Sequence, residues 1–368
     1  MLTATAFDQI ATPITDLYEQ YNQSVINDIA RRLAKLDMTN TAAWQMQRLT
    51  ESGKVYEQAL KELAKVTGKS EAELRAAFEK AGVKSMKFDD SIYRAAGLSP
   101  TPLNLSPAML NVLMAGLRKT NGVMRNLTMT TAISGQQVFV NAADLAYMQV
   151  SNGAMSYDQA IRAAVKQVAQ NGLSTIQYGG KTDQLDVSMR RTVLTGVAQT
   201  TGGLQMARAD ELNVDLVQTS AHAGSRPEHE LWQGQVFSRS GTSTKYPDFV
   251  SSTDYGSITG LCGINCRHSF APWFEGLSEN AYSQESLNND YNNQTVTYQG
   301  KEISQYSASQ IQRSYERAVR DWKRQSSALE SAGLDNSAEA AKVRDYQAKL
   351  RDFVRQTKLV RQPVREQV

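Results

Sequence analysis

His222-Ala223-Gly224-Ser225-Arg226-Pro227-Glu228-His229 runs on into Leu231-Trp232-Gln233-Gly234-Gln235-Val236-Phe237-Ser238. A second stretch follows, Tyr255-Gly256 and then Gly260-Leu261-Cys262-Gly263-Ile264-Asn265-Cys266-Arg267-His268-Ser269-Phe270. No helical period runs through either. Glycine and proline recur every few residues, aromatics are interspersed, and Gln235 to Ser238 favours a short strand. From about residue 216 to 276 the chain therefore reads as a compact, turn-rich block. Gly256, Gly260, Gly263 and Gly276 permit turns that are closed to other residues. Pro227, Pro247 and Pro272 fix φ and reduce the freedom of the unfolded segment. Arg226 and Arg267 carry planar donor forks suited to clamping several carbonyls or carboxylates. Trp232, Trp273 and Phe274 anchor a small core. Such a block is stable with modest apolar content if its polar groups satisfy one another.

Outward from this block the pattern is helical. Towards the N-terminus, Thr12 and Pro13 read as a helix start. Ile14, Leu17, Tyr18, Tyr21, Val25, Ile29 and Leu33 then recur at helical spacing. A second helix begins near Thr41 and turns Trp44 inward. A third carries Val55, Tyr56, Leu60 and Leu63 and stops at Gly68. Ser70 to Glu73 is a capping box that opens a helix ending at Gly82. Leu98-Ser99-Pro100-Thr101-Pro102 breaks the pattern. Beyond it, Ser156 to Gln159 is another capping box, with Ile161, Ala164, Val165 and Val168 on one face and Asn171-Gly172 as the close. A long helix starts near Asp186. Towards the C-terminus two helices meet at Gly333, and Leu359 to Val368 reads as a loose basic tail. The expected fold is mainly α with a smaller α+β, glycine-rich domain, a helical N-terminal arm and a C-terminal helical hairpin. The expected segments are 1–100, 101–215, 216–302 and 303–368.

Composition narrows the function classes. The 368 residues are 41% hydrophobic and 21% charged, an ordinary globular balance. Net charge is only +3, so charge does not announce a nucleic-acid binder. Residues 311–368 do hold 13 Lys/Arg against 8 Asp/Glu. No run reaches the ~18 apolar residues of a spanning helix. The first residues lack the basic-then-apolar pattern of a secretory signal. The expected site of synthesis is the cytoplasm, where two cysteines stay reduced.

All three histidines and both cysteines fall between 222 and 268: His222, His229, Cys262, Cys266 and His268. Imidazole and thiolate are the usual zinc ligands. Cys-x3-Cys-x-His is not a standard finger or ribbon spacing, however. A structural zinc therefore stands against the plainer reading of packed cysteines and hydrogen-bonded histidines. A Cys266–His222 or Cys266–His229 nucleophile pair is the enzymatic alternative. Gly180-Lys181-Thr182 resembles the end of a phosphate loop, but Thr175 stands where that loop needs glycine. Zincin, nucleophile-elbow and dinucleotide-binding motifs are absent from the sequence.

The paired segments resemble the signature of the phage minor capsid protein family (type two). That family is related in its distal domain to head-morphogenesis proteins typified by the F protein of phage Mu. Arg226, Pro227, Trp232, Gln233, Gly234, Gly260, Asn265 and Arg267 carry the resemblance, which extends beyond the block. Asp16-Leu17-Tyr18 with Ile29-Ala30-Arg31-Arg32-Leu33 is similar to the family's first helix, and Trp44-Gln45 with Arg48-Leu49 to its second. Arg190-Arg191, Thr195-Gly196 and Gln199-Thr200 match its pre-signature helix. The likeness covers about residues 7 to 276. It implies a structural virion protein in few copies, beside the portal and inside or under the shell, with no established reaction. Portal protein and major capsid protein are the implied partners, with genomic DNA as a further one through the basic C-terminal hairpin and no membrane. The alternatives are a zinc- or cysteine-dependent hydrolase or nuclease, and a DNA-organising or ejected protein.

Overall fold

The structure is a computed structural model that describes residues 2–176 and 182–368. Gly180 and Lys181, the end of the phosphate-loop-like stretch, lie outside the described residues. The fold is mainly α with a minor α+β part. Four helices fill the first half: α1 (Ala4–Leu33), α2 (Thr41–Ala95), α3 (Pro107–Ser151) and α4 (Tyr157–Asn171). A small hairpin of β1 (Ser174–Ile176) and β2 (Thr182–Gln184) leads into α5 (Leu185–Glu211). Then come β3 (Leu216–Thr219), α6 (Pro227–Glu230), β4 (Val236–Ser238), α7 (Phe249–Thr253) and β5 (Phe270–Pro272). After α8 (Gln284–Ser286), β6 (Thr295–Tyr298) and β7 (Lys301–Ser304) form a second hairpin. The chain closes with α9 (Gln305–Ser331) and α10 (Ser337–Thr357).

The chain divides into two compact units, each made of three separate segments. Unit 1 is Met1–Pro13, Glu71–Val123 and Arg190–Gln310; unit 2 is Ile14–Ser70, Met124–Met189 and Ile311–Val368. Compactness therefore does not follow chain order, and α1, α2, α3, α5 and α9 each give residues to both units.

In unit 2 the apolar row of α1 is buried as its period requires: Ile14, Tyr18, Tyr21, Val25, Ile29 and Leu33 are all 2% exposed or less. They share the core with Val55, Phe139, Val165, Val168, Val319, Leu350 and Phe353. The α4 capping box forms, Ser156 accepting from the Gln159 backbone and Gln159 reaching back. Trp44 is buried and stacks on Tyr147 with ring centroids 4.1 Å apart.

Unit 1 contains a close helix crossing. A Cβ at Gly116 would run into the Thr200 hydroxyl, and one at Gly196 would run into Thr120. The pairing 116 with 200 and 120 with 196 makes α3 and α5 antiparallel there, and two glycines let the backbones approach. Gly196 belongs to the Thr195-Gly196 pair noted in the sequence.

Three local readings differ from the structure. The first helix starts at Ala4 and contains Pro13 rather than beginning there. The expected stops at Gly68 and Gly82 do not occur, and α2 is one helix of 55 residues. Ser70 does not cap. Its hydroxyl donates to the Thr67 carbonyl at 3.0 Å and meets the Tyr18 hydroxyl at 3.1 Å. Leu74, Ala77, Phe78 and Ala81 continue the buried row beyond it, so burial overrides the local break signal. The C-terminal tail is not loose. Pro363–Glu366 form a 3-10 turn, Val360 accepts from Gln312, and Arg361 holds the buried Glu366 at 2.6 Å.

Candidate metal centre

The glycine-rich block lies in unit 1 around a three-stranded sheet of order β4-β3-β5, all antiparallel. Val217 of β3 pairs with Phe237 on one side and Pro272 on the other. Behind the sheet Phe237, Phe249, Tyr255 and Phe270 pack edge to face or tilted, with centroids 5.0–6.3 Å apart. These rings make the core. Trp232 is buried beside the histidines, while Trp273 and Phe274 are only half-buried.

Pro227 occupies the first turn of α6, where its missing N–H costs nothing. Arg226, just before it, donates to the Ile264 carbonyl at 2.7 Å and the Thr259 carbonyl at 3.5 Å. Arg267 donates to Asp8 at 3.0 Å, and Asp8 also receives Arg190 at 2.7 Å. Asp8 lies some 260 residues from Arg267, and no local signal in the sequence announces it. The turn from 258 to 266 is tight. Ile264 N–H donates to the Ile258 carbonyl, Cys262 and Asn265 both adopt left-handed φ, and a Cβ at Gly260 would collide with the Asp254 carbonyl. Gly234 also has positive φ.

Together these elements bring His229 from α6 to Cys266 and His268 from the turn before β5. The Nδ1 atoms of His229 and His268 are 3.4 Å apart, and Cys266 Sγ is 3.6 Å from His268 Nδ1. One ligand atom from each of the three residues lies within 4.8 Å of the others, and all three residues are buried. Gln233 is the organiser. Its Oε1 accepts from the His222 backbone at 3.1 Å and from His268 Nε2 at 2.9 Å, and its Nε2 donates to Asn292 at 2.6 Å. His229 Nε2 donates to the Thr259 carbonyl at 2.9 Å.

The other two sequence candidates stand outside this trio. His222 stacks on His268 at 4.3 Å, with Nδ1 turned to the Ala223 carbonyl. Cys262, with a left-handed backbone, places its sulfur beside Gly202 in unit 1 and is not among the three converging ligands. Of the five candidates named from the sequence, three converge. Burial depresses all three histidines, His268 most, and raises both thiols, Cys262 most. Backbone N–H groups of His268 and Cys262 oppose that rise at Cys266.

Comparison with known proteins agrees with the signature. The family model for phage minor capsid protein 2 matches residues 2–355. A structural protein of Lactococcus phage LL-H is 25% identical over 96% of this chain and 98% of its own length. A structural protein of Lactococcus phage mv4 is 34% identical over 34% of this chain and 93% of its own length. No solved structure matches the chain. On the match across nearly its whole length, this chain belongs to the phage minor capsid protein 2 family, whose role is structural.

Proposed function

We propose that the protein is built into the phage head at the vertex that carries the portal, where it contacts portal protein and major capsid protein and catalyses nothing. The family match over residues 2–355 carries this reading. The helices support it through apolar side chains left exposed. On α3, Met129 is 59% exposed, Ile133 60% and Met148 60%. Met129 and Ile133 are one helical turn apart, so they form a continuous apolar patch of the kind that marks a partner surface. The enzymatic reading has less support. A buried thiol pushed above its ordinary value is a poor nucleophile, and Cys266 is such a thiol. Binding of genomic DNA by the C-terminal hairpin has less support too. Arg320, Arg324, Lys349, Arg355, Arg361 and Arg365 are all ion-paired with acidic residues of unit 2. Among the described residues no helix is long and apolar enough to cross a membrane.

The test is incorporation. The wild-type protein should sediment with washed heads and cross-link to the portal and major capsid proteins. Met129→Glu combined with Ile133→Glu should leave stability within about 0.5 kcal/mol, since both sites are exposed. It should lower incorporation by roughly tenfold or more, as loss of an apolar anchor does. A wild-type protein found only free in lysate, and missing from washed particles, would sink the proposal.

A further inference from the structure

We propose that His229, Cys266 and His268 bind one divalent cation of the zinc class, through Nδ1 of each histidine and Sγ of the cysteine.

The hydrogen bonds around the two rings fix their tautomers. Gln233 uses Oε1 to accept from the His222 N–H and Nε2 to donate to Asn292, so its amide orientation is set. The atom facing His268 Nε2 is thus an acceptor, and Nε2 carries the proton. The Thr259 carbonyl can only accept, so Nε2 of His229 carries its proton too. Each neutral ring is left with a lone pair at Nδ1, which at His268 can accept only from the Cys266 thiol and at His229 faces the other ring. The two nitrogens are 3.4 Å apart in a buried place, and neither ring carries a proton to share between them. A cation resolves that conflict.

Two of the three separations are those a tetrahedral ion requires, and the third, His229 to Cys266, lies within 4.8 Å. Zinc–nitrogen bonds of about 2.05 Å and zinc–sulfur bonds of about 2.3 Å place two nitrogens about 3.4 Å apart and a nitrogen and sulfur about 3.6 Å apart. The observed separations are 3.4 Å and 3.6 Å. Cys266 Sγ also accepts the His268 backbone N–H at 3.4 Å, which offsets part of the rise that burial imposes on the thiol. Gln233 and Thr259 occupy the position of the carbonyl groups that orient metal-bound imidazoles. Binding displaces the thiol proton to solvent, and no oxidation occurs. Among the described residues no other Cys, His, Asp or Glu joins the trio, so a water completes four-coordination. The ion ties α6 to the turn before β5. Burial of all three ligand residues keeps the water position away from a macromolecular substrate.

Cobalt is the probe. Full-length protein without a polyhistidine tag is stripped with a chelator and titrated with Co2+. The expected result is one equivalent bound, a sulfur-to-cobalt charge-transfer band and visible bands of a four-coordinate ion, all removed by added Zn2+. Cys266→Ser should lose the charge-transfer band, while Cys262→Ser and His222→Gln should keep it. If Cys266→Ser does not fold, the wild-type spectrum with the Cys262→Ser control decides. A folded wild-type protein with no charge-transfer band overturns the proposal. So does a band that survives Cys266→Ser, or one lost in a folded Cys262→Ser variant.

Discussion

The glycine-rich block and unit 2 bury polar groups in opposite ways. In unit 2 the ionisable groups of the core sit together. Arg324 meets Glu19 at 3.2 Å, Arg320 meets Asp186 at 3.2 Å, and Arg324 also pairs with Asp321. Long apolar rows on α1, α4 and α9 surround them, so most of the stability there is spread over many side chains. In the block, single side chains each hold several loops. Gln233 joins the backbone at 222, the ring of His268 and the side chain of Asn292. Arg226 joins residues 259 and 264 to the start of α6. Distributed burial tolerates the loss of one polar group, whereas a shared hydrogen-bond hub does not.

The same substitution made in both places tests this most strongly. Gln233→Leu keeps the volume and strands the His222 N–H, the His268 N–H and the Asn292 carbonyl. It should cost about 3–5 kcal/mol, the sum of two or three unmet buried groups. Gln325→Leu in unit 2 loses the side chain of Gln170, which is exposed and regains water, and a 3.3 Å bond to the Asp321 carbonyl. It should cost about 1 kcal/mol or less. Urea midpoints of the two variants measure the difference. Equal costs would break the contrast.

Acid and base should act on the two regions in opposite directions. Burial, reinforced by the charge of Asp186, raises Glu19 from 4.5 to about 8. A carboxyl raised in the folded state binds its proton more tightly there than when unfolded. Its contribution is therefore full below pH 4.5 and is lost as pH rises through about 8. The buried histidines of the block have lowered values, so their contribution is full above 6.5 and is lost as pH falls. Glu19→Gln should flatten the alkaline side of the stability profile by on the order of 2–3 kcal/mol between pH 5 and 8. It should leave the acid side unchanged. A profile whose alkaline slope is unaffected would show that Glu19 is ionised in the folded protein.

Much of the fold is legible in the sequence alone. The period of α1, the capping box at Ser156, the helix start near Asp186 and the turn at Gly333 are all local signals, and each appears where it was read. The histidines and cysteines of the signature segment include the three that converge. Spacing could not say which members converge. That depends on contacts such as those of Gln233, whose partners lie 11, 35 and 59 residues away. The division into units was hidden for a related reason. It depends on which parts of five long helices pack together, and the sequence of one helix does not encode its neighbours.

Glycine provides the smallest test of the contrast, and the sharpest in sign. At Gly260 a Cβ has no room, because the Asp254 carbonyl already occupies its place. At Gly68 a Cβ would meet nothing within 4 Å, the residue is exposed, and it sits inside the continuous helix α2. Its φ is not among the positive values of this chain. Nothing in the folded protein therefore requires glycine at 68, and its backbone freedom only favours the unfolded chain. Gly68→Ala should raise stability by about 0.5–1 kcal/mol, the ordinary difference between the two residues in a helix interior. The gain should appear as a higher urea midpoint with an unchanged slope. A loss of stability would mean that α2 does need a break at this point, as the sequence signal at Gly68 first indicated.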